Sequence, residues 1–180
     1  MNRKSLYIGG AFLGLATLLV LKSCKTIPEG AEVVKPFDIA RYMGKWYEIA
    51  RLDFKYERDL NNTTATYSLN DNGTVKVVNR GFNIRTKEKA EAIGKAKFAG
   101  PDKEGKLKVS FFGPFYSAYN IIALDPDYRY ALVAGKNLKY LWILSRETTI
   151  PGNIREDYLK KAQQAGYNTS ELIWVEHGGL

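Results

Sequence analysis

Gly44-Lys45-Trp46-Tyr47-Glu48-Ile49-Ala50-Arg51 sets an indole two residues after a glycine and continues without a turn residue, as a strand would. Successive side chains of a strand point to opposite sides, so Trp46, Glu48 and Ala50 share one face and Tyr47, Ile49 and Arg51 the other. Gly44 lets the backbone turn closely beside the large indole. This order suits the first strand of a closed barrel, begun from a tight turn and plugged by Trp46.

Working outward, the strand runs to about Leu52 and is followed by a polar, charged stretch, Asp53 to Asn62, too long for a tight hairpin. From Thr63 short strand-like runs alternate with turn signals, the pattern of an antiparallel meander. Asn70-Asp71-Asn72-Gly73 separates Thr63–Leu69 from Thr74–Phe82, and Gly100 to Gly105 separates Ala90–Phe98 from Lys106–Phe112. Gly113-Pro114, Asp125-Pro126-Asp127 and Lys136-Asn137 bound three further runs, the last being Tyr140–Arg146. With the first strand this makes eight. The period then changes: Ile154, Tyr158, Leu159 and Ala162 fall on one helical face, with Glu156 and Asp157 early and Lys160 and Lys161 late, as the helix dipole favours. Gly166 is a stop signal. Either Pro151 occupies the first helical position or Asn153 caps the helix. Glu171–Val175 reads as a ninth strand, and Phe37–Met43, before the Trp, as a short helical turn.

The chain of 180 residues fits one core. Its start is set apart: Arg3 and Lys4 precede an apolar run, Leu6 to Leu21, that is shorter than a comfortable membrane span and reads as a secretion signal. The single cysteine, Cys24, closes that segment, so no intramolecular disulfide is available. Leu21-Lys22-Ser23-Cys24 resembles a bacterial lipobox, with Lys22 departing from it, and implies cleavage before Cys24 and acylation of its thiol. Residues 1–23 are thus expected to be a lipoprotein signal peptide and 24–36, with Pro28, Gly30 and Pro36, a lipidated tether. The domain proper is 37–180. Losing Arg3, Lys4 and Lys22 lowers the formal charge from +8 to +5. The remaining Lys and Arg are scattered and accompany no nucleic-acid motif, so no nucleic-acid partner is expected.

The Gly-x-Trp of Gly44 and Trp46, extended through Arg51, resembles the first signature of the lipocalins. Leu124-Asp125-Pro126-Asp127-Tyr128 is similar to the second, an Asp-Tyr turn, with an extra residue that leaves Asp125 and Asp127 both open as its Asp. Arg146, ending Tyr140–Arg146, is similar to the third. The resemblance covers about Phe37 to Val175 and implies an all-β, eight-stranded antiparallel up-and-down barrel with a C-terminal helix and a short ninth strand. It also implies that Arg146 lies across Trp46 beside Gly44 at the closed end, and that the long first loop is a lid over the open end. Bacterial members of the family further imply an outer-membrane location and an amphipathic lipid ligand, a fatty acid or lysophospholipid. Lys25, where an Asp would signal inner-membrane retention in the enteric sorting rule, agrees with the outer membrane.

A closed eight-stranded barrel holds either one small ligand or its own side chains. Charges set the phase of its walls. Outward Lys76 and Arg80 send Val75, Val77, Asn79 and Gly81 inward; outward Lys95 and Lys97 send Ala92, Gly94, Ala96 and Phe98 inward; outward Lys106 and Lys108 send Leu107, Val109 and Phe111 inward. Ala65, Tyr67 and Leu69 form the apolar face of their strand, and the family phase adds Tyr119, Ile121 and Ala123, and Tyr140, Trp142 and Leu144. The expected lipid-binding set is Tyr67, Val77, Asn79, Ala96, Phe98, Val109, Phe111, Tyr119, Ile121, Tyr140 and Trp142. Small residues among them leave volume for apolar matter, stabilised by about 25 cal/mol per Å² removed from water. Glu48 and Asn79 are polar and inward. They are expected to satisfy each other and the Tyr hydroxyls near the closed end; the functional alternative has them fixing a lipid's polar end.

Nothing in the sequence points to catalysis. The only His is His177 in the tail and no Gly-x-Ser-x-Gly occurs. No clustered Cys or His suggests a metal, and no cofactor is expected. An enzyme acting on a bound lipid is the rival reading, with Glu48 its one visible candidate. The membrane, through Cys24, and a lipid are the expected partners, and a homodimer stays open.

Overall fold

A computed structural model describes residues 26–178; the signal peptide and the lipidated Cys24 expected from the sequence lie outside the described residues. A one-turn helix, α1 (Ile39–Tyr42), starts where the Asp38 carboxylate accepts the N–H of Ala40 at 2.9 Å. The eight wall strands are β1 (Gly44–Arg51), β2 (Leu60–Leu69), β3 (Val75–Asn83), β4 (Glu88–Phe98), β5 (Lys106–Ser110), β6 (Ser117–Leu124), β7 (Tyr130–Ala134) and β8 (Leu141–Ser145). Each pairs antiparallel with the next, and β1 pairs with both β2 and β8, which closes the barrel. Helix α2 (Gly152–Gln164) and a short β9 (Ile173–Trp174) follow. β9 pairs with Ala50 and Arg51, beyond the Gly44–Tyr47 portion of β1 that pairs with β2.

Several boundaries differ from the sequence reading. β2 begins at Leu60, inside the expected loop; β5 stops at Ser110, ahead of the Pro-containing turn; and β9 is two residues long. Helix α2 starts at Gly152 with Pro151 in the cap position and no side-chain cap, so neither alternative for its start holds.

Two hydrophobic layers share the barrel wall. Trp46, Tyr67, Val75, Val77, Leu107, Val133 and Leu144 pack inside. Ala50, Leu132, Ala134, Leu141 and Ile143 face outward and are covered by Tyr158, Ala162 and Ala165 of the α2 region, with the Tyr158 hydroxyl donating to the Tyr130 carbonyl at 2.9 Å. Strands β7 and β8 are therefore buried on both faces.

Simple alternation fails at three places. β1 shifts register against β8 between Glu48 and Ala50, β2 against β3 between Asn61 and Thr64, and β6 against β7 between Ile121 and Ala123. An extra residue in one strand reverses the phase beyond it. Ala50 and Ala123, expected inward, thus join the outer layer under the helix, while Arg51, expected outward, is buried. Leu69, expected on the inner face of β2, reaches the strand's end and is half exposed.

The closed end is built around Trp46, which is fully buried and donates from Nε1 to the Tyr42 carbonyl at 2.9 Å. The Arg146 guanidinium lies 3.9 Å over the indole and donates to the carbonyls of Tyr128, Lys45 and Arg41 at 2.8–3.1 Å. Gly44, at φ +93°, passes directly under that guanidinium, where a side chain would be strained. In the adjoining turn it is Asp125, not Asp127, whose carboxylate accepts backbone N–H groups, those of Asp127 and Arg129. Residues 26–36 do not stand clear as a tether. Val34 exchanges backbone hydrogen bonds with Ile121 and Gly105, and the Thr26 carbonyl accepts from the Asn120 side chain at 2.8 Å.

Candidate functional site

The barrel encloses a cavity of about 740 Å³ that opens between the loops 53–59, 111–116 and 135–140, a volume within the range of small-molecule sites. Ala65, Ala92, Ala96 and Gly81 keep it open from β2, β3 and β4, and Val75, Val77, Val109, Phe111 and Leu144 supply apolar wall. Of the sequence-derived set, Tyr67, Val77, Asn79, Ala96, Val109, Phe111, Tyr119, Tyr140 and Trp142 border this space. Phe98 and Ile121 do not. Phe98 stacks edge-on against Phe37 beneath the cavity, and Ile121, fully buried, sits in the layer that Val34 and Gly105 cross. Both are inward by phase but too far toward the closed end; phase assigns a side and not a depth.

The floor carries a relay of hydroxyls. The Tyr119 hydroxyl bonds that of Tyr42 at 2.8 Å and that of Tyr67 at 2.9 Å. Burial pushes all three phenols well above their ordinary value, so they remain neutral donors and acceptors.

One wall carries a charged cluster that the sequence reading missed. Arg51, turned inward by the bulge, donates to the Glu48 carboxylate at 2.6 Å and to the carbonyls of Glu57 and Leu60 at 2.6 and 3.1 Å. Glu57 belongs to the first loop, and its carboxylate accepts the Trp142 indole N–H at 3.0 Å. Arg51 thus ties the loop at the mouth to β1, and Glu57 ties it to β8. Burial raises the Glu48 carboxyl to about 8, the neighbouring Glu57 adds to this, and Arg51 opposes it. Burial raises Glu57 as well, against the indole N–H and Arg51. Glu48 and Asn79 do not satisfy each other: Glu48 pairs with Arg51, and Asn79 Oδ1 is buried with no hydrogen-bond partner among the described residues.

The mouth adds Phe54, Tyr56, Leu60, Phe112, Phe115 and Lys136. Phe54 packs edge-on against Tyr140 and Tyr56, and Tyr56 lies 6.1 Å from Phe112 across the opening. A cluster of loop aromatics was the signal available for these, but loop residues have no phase to place them. Among the described residues no group of three or more His, Cys, Asp or Glu is arranged to hold a metal ion. With apolar walls, a floor of neutral hydroxyls and one ionisable cluster, the cavity is suited to hold an elongated apolar molecule with a polar portion.

The lipocalin-like domain model matches residues 37–177. The chain is 49% identical to the outer membrane lipoprotein Blc of Escherichia coli K12 over 91% of this chain and 93% of that protein. It is 43% identical to the Blc of Vibrio cholerae, over 92% and 96% respectively, and 37% identical to the temperature-induced lipocalin-1 of Arabidopsis thaliana over 78% and 80%. Among solved structures, insecticyanin from the tobacco hornworm Manduca sexta superposes with a TM-score of 0.67 at 22% identity, covering 82% of this chain and 85% of that one. That likeness concerns the fold.

Proposed function

This chain belongs to the lipocalin family and is located, like the relatives it matches over nine-tenths of its length, at the bacterial outer membrane; on that premise we propose that it holds one amphipathic lipid for membrane maintenance. The lipid is a fatty acid or lysophospholipid, stored or carried in the barrel, and the protein is held to the membrane by acylated Cys24. The observation that carries this reading is the cavity of about 740 Å³, apolar on its walls and open at one end. An acyl chain buried there gains from every Å² of surface removed from water. The reaction-free reading is preferred because the Glu48 carboxylate, the one candidate acid or base of the rival reading, is engaged by Arg51 at 2.6 Å.

Trp142 supplies the test. Its indole borders the cavity and is bonded to the loop over the mouth, so titrating the delipidated protein with palmitate or lysophosphatidylcholine should change tryptophan emission saturably. Trp142→Phe should remove most of that signal and keep the fold. Ala92→Phe should weaken binding at least about tenfold by filling the space that Ala92 leaves on the wall, at an overpacking cost of about 1–3 kcal/mol. The lipid should be recovered unchanged in mass. Full-strength binding to the filled barrel, or none to the delipidated one, would defeat the container reading; a mass-changed product would favour the enzyme.

A further inference from the structure

We propose that the barrel is held mouth-down, and that the rim of its open end docks directly on the anionic phospholipid surface to which the chain is tethered. The proposal rests on the acylation of Cys24 for the tether and on three features of the described residues for the docking.

The first is where the chain comes from. Val34 is bonded between Gly105 and Ile121 toward the closed end, and from there the chain runs back along the wall, passing α2 at Gly30. It reaches Thr26, whose carbonyl accepts from Asn120 Nδ2; the same amide donates to the carbonyl of Gly135 at 3.2 Å. Gly135 opens the β7–β8 loop, whose Lys136 and Tyr140 line the mouth. Cys24 is two residues beyond Thr26, a reach of at most about 7 Å. The described chain therefore begins on the mouth's side of the molecule, within that reach of the residue that carries the tether.

The second is what the rim exposes. Tyr56, Phe112 and Phe115 are 60%, 69% and 79% exposed, and Ile84 and Leu138 are nearly half exposed. Every one of the four loops at this end thus presents an apolar side chain to solvent, and the aromatic ones, from loops 53–59 and 111–116, border the cavity opening. Aromatic rings with a polar neighbour suit the headgroup region of a bilayer.

The third is the distribution of charge. The mouth loops, 53–59, 84–87, 111–116 and 135–140, carry six Lys and Arg against three Asp and Glu. The closed-end segments, 38–43, 70–74, 99–105, 125–129 and 146–151, carry four against seven. An anionic surface attracts the first end and repels the second. Tether, apolar rim and charge all select the same orientation. A lipid can then pass between bilayer and cavity without crossing water, which is the step that costs its acyl chain most.

The experiment uses the acylated full chain in vesicles of phosphatidylcholine with about a quarter phosphatidylglycerol. A fluorophore is placed on Gly113→Cys in the rim, or on Asp71→Cys at the closed end, and quenched by phospholipids bearing a nitroxide on the acyl chain. Strong quenching at 113 with little at 71 is expected; equal quenching at both, or the reverse, overturns the proposal. If mass spectrometry finds no acyl group on residue 24, the anchoring reading fails alone, and flotation of the unanchored Cys24→Ser chain with the same vesicles decides. Phe112→Ser/Phe115→Ser should then lower its partitioning roughly tenfold, and high salt should lower it further. Unaltered partitioning, or none to begin with, overturns the docking. A dimer dissolved by the same pair of substitutions, with vesicle binding unchanged, would assign the rim to a second copy instead. Ile84→Ser, on the rim but outside the cavity lining, should lower partitioning in the same direction while palmitate still titrates Trp142 saturably, which keeps the cavity reading separate from the docking one.

Discussion

Arg146 directs donors to three carbonyls at the closed end while its flat face covers the indole of Trp46. The contact adds about 0.5–2 kcal/mol to what the ring gains by burial, and each carbonyl it holds comes from a different segment, so one side chain closes the barrel floor. Trp46→Ala removes the largest fully buried side chain there and should cost about 3–5 kcal/mol in chemical denaturation; wild-type stability in that variant would contradict the plug assignment. Glu48 makes a different kind of prediction. Its carboxyl is raised from the ordinary 4.5 to about 8 by burial, with Glu57 adding and Arg51 opposing, so in this range the folded state binds more protons than the unfolded state. Stability should therefore fall as pH rises from about 4.5 toward about 8 and level off above. Glu48→Gln, which cannot ionise, should flatten thermal melting temperatures between those limits. A slope equal to that of the wild type would assign the dependence to Glu57 or elsewhere.

Among the elements, β1 shows how a sequence pattern can be right in kind and wrong in phase. Its first half obeys the period of two, with Trp46 and Glu48 inward; the bulge at Ile49 then reverses the order so that Ala50 meets the helix and Arg51 enters the barrel. β6 repeats the device, sending Ala123 outward. Small residues follow both bulges because the helix lies close over them. The β4–β5 edge has the opposite requirement. A methyl group on Gly94 would stand 2.7 Å from both the Phe111 ring and the Ser110 carbonyl, and that backbone is held by the pairing of Lys95 with Ser110. Gly94→Ala should cost about 1–3 kcal/mol, measured as a lowered denaturant midpoint; an unchanged midpoint would mean that the Phe111 ring slides away freely.

Across the whole molecule, the architecture follows from local patterns in the amino-acid sequence. Gly44 and Trp46, the evenly spaced turn signals, the change to a helical period after Arg146 and the charged residues that set the wall phase are local patterns, and they specify eight strands, a helix and a ninth strand without reference to anything distant. They also place most of the cavity wall, since alternation holds wherever a strand is regular. Tertiary structure decided the rest. Depth along the barrel axis, which separates Tyr67 and Trp142 from Phe98 and Ile121, depends on how strands stagger against one another. The inward turn of Arg51 depends on a bulge set by pairing with β8, and the meeting of Glu57 with Trp142 depends on where a loop folds back. The course of residues 26–34 toward the mouth depends on long-range contacts, among them the Asn120 amide presented to two carbonyls and the backbone bonds of Val34 to Gly105 and Ile121. Local periodicity reports which side a residue faces; register, bulges and long-range hydrogen bonds, formed only when the chain closes on itself, decide what that side contains.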